Sequence, residues 1–206
     1  DEYTAVSSII NDIRVVSTDG SYYLEKDGKA ISNSFQSIYP IDILLFDQSP
    51  VTPLNGYTHC FLAMTNDFKY AFLDSLGNET FLDEKLTEPR ELLFSGITFR
   101  TSDNHYMLAR YDGTLLDVEY EGIAHYNLPL TNPTYSVSIG IRKGLDNETV
   151  YDLIDANGNR IITGADFIDS MTVAGSTFFS VNKDSEFEVL NNEGNVIFAN
   201  KIHFSR

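Results

Sequence analysis

One cysteine, no tryptophan and fewer than half as many basic as acidic residues set the first limits on this chain. Cys60 has no partner, so no internal disulfide forms and no thiolate zinc site can be assembled. It stands in the apolar run Cys60-Phe61-Leu62-Ala63-Met64, the setting of a buried, inert thiol. The adjacent His59 points to the other face of a strand, which leaves no thiolate–imidazole pair for nucleophilic catalysis. With 14 Lys and Arg against 30 Asp and Glu, the formal charge is −16 and the pI is near 4.4. Such a surface repels nucleic acid and anionic headgroups, which excludes nucleic-acid partners. It suits solubility, cation binding or a basic partner, solubility being the plainest reading. No run approaches the roughly 20 apolar residues of a membrane helix, and the longest apolar block, 41–46, is strand-sized, so direct membrane insertion of this segment is not expected. No signal peptide is visible, and the chain opens on Asp1 as a processed product would, which leaves an upstream signal or anchor open.

Catalytic signatures are missing as well. The four histidines, His59, His105, His125 and His203, form neither HxH nor HExxH. GxSxG, GxGxxG and Walker patterns are absent.

What is present is apolar mass and a repeat. Hydrophobic residues make up 42% of 206, with 12 Tyr and 14 Phe, enough for a core and biased toward strands. Five segments share one pattern around a glycine: 21–31, 70–82, 106–116, 151–162 and 187–198, centred on Gly28, Gly77, Gly113, Gly158 and Gly194. Seven residues before the glycine stand Ser21, Tyr70, Tyr106, Tyr151 and Phe187; five before, Tyr23, Phe72, Leu108, Leu153 and Val189; four before, Leu24, Leu73, Ala109, Ile154 and Leu190. The glycine spacings are 49, 36, 45 and 36, a period typical of propeller blades or solenoid units. Each segment reads as strand, tight turn, strand. Two further strands precede each hairpin: 7–12 and 14–18, 38–46 and 60–65, 91–96 and 97–101, 123–128 and 135–141, 167–173 and 178–182. No helix is apparent. Adjacent apolar positions in each hairpin put apolar residues on both sheet faces, as stacked small sheets require.

The expectation is therefore a single all-β domain, 1–206, of about five repeats of four short antiparallel strands, with units near 7–33, 34–86, 87–119, 120–164 and 165–206. A propeller-like ring is favoured over an open β-solenoid. The C-terminal Lys201–Arg206 matches the strand that opens a unit, although 7–12 already supplies one for the first. That surplus suits an open array, a trimmed chain or strand exchange at closure.

These segments resemble the bacterial WG repeat, read roughly as W-G-x-I-D-x-x-G-K-x-V-I. Tyr151, Leu153, Ile154, Asp155 and Gly158 occupy its Trp, variable, aliphatic, acidic and Gly places, as do Tyr70, Leu73, Asp74 and Gly77 for the places they match. The Trp itself is replaced everywhere by Tyr, Phe or Ser, and its following Gly by Tyr22, Ala71, Met107, Asp152 or Glu188, so the likeness is to a degenerate member. The resemblance implies a non-enzymatic binding or scaffold module for a protein or glycan, without a cofactor, and an extracytoplasmic bacterial setting. A carbohydrate-active enzyme of five-bladed propeller type and a structural spacer of a larger surface protein are the alternatives.

No catalytic or metal residue is assigned. Asp155, Asn157 and Asn159, with Asp166 further on, echo a calcium loop, but Arg160 stands where that loop needs Gly and strands flank it where helices should. A turn explains all five glycine segments; a metal explains one. Asp42, Asp117, Glu119, Glu121 and Asp169 lie on or near strands and could supply the two carboxylates of a glycosidase, a requirement that 30 acids meet by chance. Asn78-Glu79-Thr80 and Asn147-Glu148-Thr149 are formal glycosylation sequons. The repeated aromatics read as core, and function is sought in the loops near 47–58, 127–134 and 142–149.

Overall fold

Short apolar runs broken by glycine turns favour strands, and strands are what form. The computed structural model describes residues 5–10, 12–41, 59–92, 96–126, 137–155, 158–191 and 194–201. Among them every regular element is a β-strand, and no helix is long and apolar enough to cross a membrane.

Five small antiparallel sheets follow one another along the chain, each strand beside its sequence neighbour. The first holds β1 (Ala5–Ile10), β2 (Ile13–Thr18), β3 (Ser21–Lys26) and β4 (Lys29–Ala30); the second holds β5 (Ser37–Pro40), β6 (His59–Met64), β7 (Tyr70–Asp74) and β8 (Glu79–Phe81). The third has β9 (Leu86–Leu92), β10 (Gly96–Thr101) and β11 (Tyr106–Arg110). The fourth has β12 (Gly122–Tyr126), β13 (Val137–Lys143), β14 (Thr149–Ile154) and β15 (Arg160–Ala165); the fifth has β16 (Phe167–Val173), β17 (Ser176–Lys183), β18 (Glu186–Asn191) and β19 (Val196–Lys201).

Three local expectations shift. The strand expected at 91–96 runs earlier, as β9, and includes Pro89; an outer strand tolerates proline because one side of it needs no ladder donor. The third sheet has three strands, because its fourth is reduced to isolated bridges, Ala109 to Leu115 and Tyr106 to Tyr120, around a tight bend in which Val118 donates to the Leu116 carbonyl. The surface loop expected at 142–149 contracts to a turn over 144–148, since Arg142 and Lys143 remain in β13 and Thr149 opens β14. The loops near 47–58 and 127–134 lie outside the described residues, as do Asp42, His203 and the end of the C-terminal segment.

The chain divides into two compact units. One contains the first two sheets, 96–103 and 108–115; the other contains 104–107 and the fourth and fifth sheets. In the first, Ile13, Val15 and Leu24 from the first sheet pack against Phe61, Ala63, Ala71 and Leu73 from the second. In the second, Val137, Ile139 and Leu153 from the fourth sheet pack against Phe179, Val181 and Leu190 from the fifth. Both cores follow one plan, in which one face of a sheet receives the opposite face of the next.

Hydrogen bonding corrects the register of the first repeat. Asp27 and Gly28 form a two-residue turn with φ of 50° and 74°, and Lys26 pairs with Lys29. The later hairpins use three-residue turns: Asp74 and Asn78, Arg110 and Thr114, Asp155 and Asn159, and Asn191 and Asn195 close them, with the glycine N–H donating to the residue three before it. One residue fewer in the first turn moves its alignment by one. Tyr22, not Ser21, then joins Tyr70, Tyr106, Tyr151 and Phe187, and all five are half-buried. Leu24 joins Phe72, Leu108, Leu153 and Val189; the first four of these are 0% exposed, and Val189 alone is only half-buried.

The β6–β7 turn departs from the pattern. Its left-handed position holds Phe68, with φ of 62° and 66% exposed, where the equivalent turns of the first, third and fourth sheets place Gly20, Asn104 and Asn147. A side chain other than Asn or Asp costs about 1 kcal/mol in this conformation, and the exposed ring returns little of it. Phe68→Asn is expected to stabilise the fold by about 0.5–1 kcal/mol in urea unfolding.

Candidate functional site

Among the described residues, those singled out in the sequence do not converge. Asp155 serves its own turn: its Oδ1 accepts from Asn159 N at 2.8 Å and its Oδ2 from Asn159 Nδ2 at 3.3 Å. Arg160 turns away from that loop toward Asp152. Asp117, Glu119 and Glu121 lie exposed along the segment before β12, and Asp169 lies on β16 of the next sheet but one in chain order. Glu119 faces His105, Glu121 faces Lys143, and Asp169 Oδ1 accepts from Ser170 N. Among the described residues no group of three or more His, Cys, Asp or Glu is placed to hold a metal ion. The sequon amide of Asn78 is engaged by Asp74 Oδ2 at 2.7 Å.

Two features were not singled out in the sequence. The first is a polar knot around Asp152, at the place where the second and third repeats bury Ala71 and Met107. Asp152 is fully buried on β14, on the face opposite Leu153. Arg142 on β13 grips it in bidentate fashion, Nε to Oδ2 at 2.9 Å and Nη2 to Oδ1 at 3.1 Å. Arg160 Nη1 on β15 donates to Oδ2 at 3.4 Å. Gly164, with φ of 66° where the β14–β15 register slips, donates its N–H to Oδ1 at 2.8 Å. Tyr120 Oη donates to Oδ2 at 3.1 Å. The ring of Tyr120 lies against Gly140, where a Cβ would stand 2.3 Å from Cε1.

Burial pushes the Asp152 carboxyl up, but the hydrogen bonds from Arg142, Gly164 and Tyr120 and the Arg142 charge outweigh it and hold the group below its ordinary value of 3.8. Burial pushes the Tyr120 hydroxyl well up, and the Asp152 charge adds to this, so it remains a donor. A carboxylate with five donors and a depressed pKa is a poor proton acceptor. Its chemistry is that of a lock: it ties β13, β14 and β15 to the Tyr120 segment, which is paired with Tyr106.

The second feature is an open sheet face. Cross-strand pairing aligns Asp169, Ser180, Val189 and Phe198 in one row, Phe167, Asn182, Phe187 and Asn200 in the next, and Met171, Phe178 and Asn191 in a third. Phe167, Met171, Val173 and Phe198 are 42–56% exposed, while Phe178, Phe187 and Val189 are half-buried. Phe187 and Phe198 meet edge to face, with centroids 6.4 Å apart. The opposite face of the same sheet, with Ile168, Phe179, Val181 and Leu190, is core. The open face carries the repeat positions that in the fourth sheet receive the fifth.

No protein-family model matches the chain, and no curated protein is found to be similar to it.

Proposed function

We propose that the chain is a non-enzymatic binding module, a degenerate WG-repeat-like array that engages a protein or glycan through the outer face of its fifth sheet. Of the two arrangements expected, a propeller-like ring and an open β-solenoid, this reading takes the open one, since a ring that seated the first sheet on this face would cover it. The observation that carries the binding role is the contrast within one repeat column: Leu24, Phe72, Leu108 and Leu153 are 0% exposed, and Val189 lies on a face with four apolar side chains open to solvent. Exposed apolar surface on that scale is characteristic of interaction sites. The polar residues interleaved with it, Asp169, Ser180, Asn182 and Asn200, suit a face that is wet when free. The enzymatic alternative needs convergent carboxylates, and among the described candidates Glu119, Glu121 and Asp169 engage separate partners.

Affinity capture from the native source tests this. The native chain should retain a partner that a Phe167→Ser/Phe198→Ser variant, equally stable in urea, recovers at about a tenth of the level or less, as loss of two buried aromatic anchors implies. Equal recovery by both proteins, or no partner together with turnover of a glycan panel, contradicts it.

A further inference from the structure

Resting on the binding-module reading, we infer that the partner is a protein that presents an apolar patch rimmed by lysine or arginine to the open face of the fifth sheet. The apolar residues define where contact occurs; the polar groups among them define what can make it. Asp169 stands exposed on this face between Phe167 and Met171 on the same strand, and among the described residues its carboxylate accepts one hydrogen bond, from the neighbouring Ser170 N–H at 2.8 Å. Among the described residues no lysine or arginine stands in the rows of this face.

The charge of the chain points the same way. Asp169 is the one charged residue in the described rows of this face, and the chain as a whole carries −16. A second copy brings the same anionic face and the same −16, so self-association sets like charges together. Anionic membranes and nucleic acids are repelled on the same ground. A neutral sugar stacks on Phe and donates hydroxyls to Asp169 but gains nothing from the charge of −16. A Lys- or Arg-rimmed apolar surface covers the phenylalanines and supplies charged donors to Asp169, with electrostatic attraction that accelerates encounter.

Two short amphipathic peptides with one Leu/Phe pattern, one rimmed by Lys and the other by Glu, probe this against the full chain by NMR titration. The Lys-rimmed peptide should bind saturably, at least about tenfold tighter than the Glu-rimmed one, with shifts on β16–β19; the difference should collapse in about 0.5 M salt. Asp169→Asn should weaken it several-fold, and Asp169→Lys should invert the preference. Phe167→Ser/Phe198→Ser should abolish binding of either peptide. Equal binding of both peptides, lost in the phenylalanine variant, overturns the charge inference and leaves the docking face standing. Binding that survives the phenylalanine variant, or no shifts on β16–β19 with either peptide, overturns the docking face itself. A concentration-dependent dimer in sedimentation that the phenylalanine variant abolishes makes a second copy the occupant and overturns the inference.

Discussion

An Asp152→Ala chain is expected to unfold with about 3 kcal/mol less free energy than the native chain, the low end of the range for breaking a buried ion pair. The substitution does more than delete one contact. It leaves the buried Tyr120 hydroxyl and the half-buried Gly164 N–H without their acceptor and the Arg142 and Arg160 guanidiniums without the counter-charge they share. The side chains of those arginines are 23% and 33% exposed, so water recovers part of the loss, which places the estimate at the low end. Tyr120→Phe, which removes one of five donors, should cost only about 1–1.5 kcal/mol. The pH dependence is diagnostic. Because the folded carboxyl lies below its ordinary value, its stabilisation is fully present above that value and is lost as pH falls through the lowered one. The gap between native and Asp152→Ala stability should therefore hold from neutrality to about pH 4 and narrow below it. A gap that closes between pH 7 and 5 would contradict the ion lock.

Gly77→Ala is expected to cost about 3 kcal/mol or more, and the contrast with Gly28→Ala isolates the reason. Both glycines are left-handed, with φ of 83° and 74°. A Cβ at Gly28 meets nothing within 4 Å, so only the backbone cost of about 1 kcal/mol applies. A Cβ at Gly77 would stand 1.8 Å from the Ile31 carbonyl oxygen and 2.5 Å from its carbon, atoms of a main chain that cannot rotate away. Ile31 is itself held, its N–H donating to the Leu24 carbonyl at 2.8 Å. Equal effects of the two substitutions in urea unfolding would show that the second turn does not press against the first sheet's outgoing chain.

The architecture was legible in the sequence because it rests on local rules. Short apolar runs, turn glycines and their spacing marked the strands that became β2, β6, β10 and β17, and each glycine segment kept its turn. The first repeat was misaligned because Asp-Gly closes a turn of two residues or of three, and flanking residues alone do not distinguish them. The Asp152 knot was invisible for a different reason. Arg142, Asp152 and Arg160 look like scattered charges until the β13–β14 register and the slip at Gly164 set them on one face. An acid at a repeat position that holds Ala71 and Met107 elsewhere was the available signal. The open face was not legible because its apolar residues share a register with buried ones; Val189 matches Leu153, which is 0% exposed, and only the presence of a following sheet separates their surroundings.

Hydroxyl-radical footprinting of the chain with and without its captured partner tests the central claim most directly, since Phe and Met side chains report solvent access in place. The account expects protection concentrated on Phe167, Met171, Phe178 and Phe198, with Phe68, Leu76 and Leu145, exposed on turns elsewhere, unchanged. Protection of those turn residues with the fifth-sheet face still reactive would place binding on the loops and contradict the account.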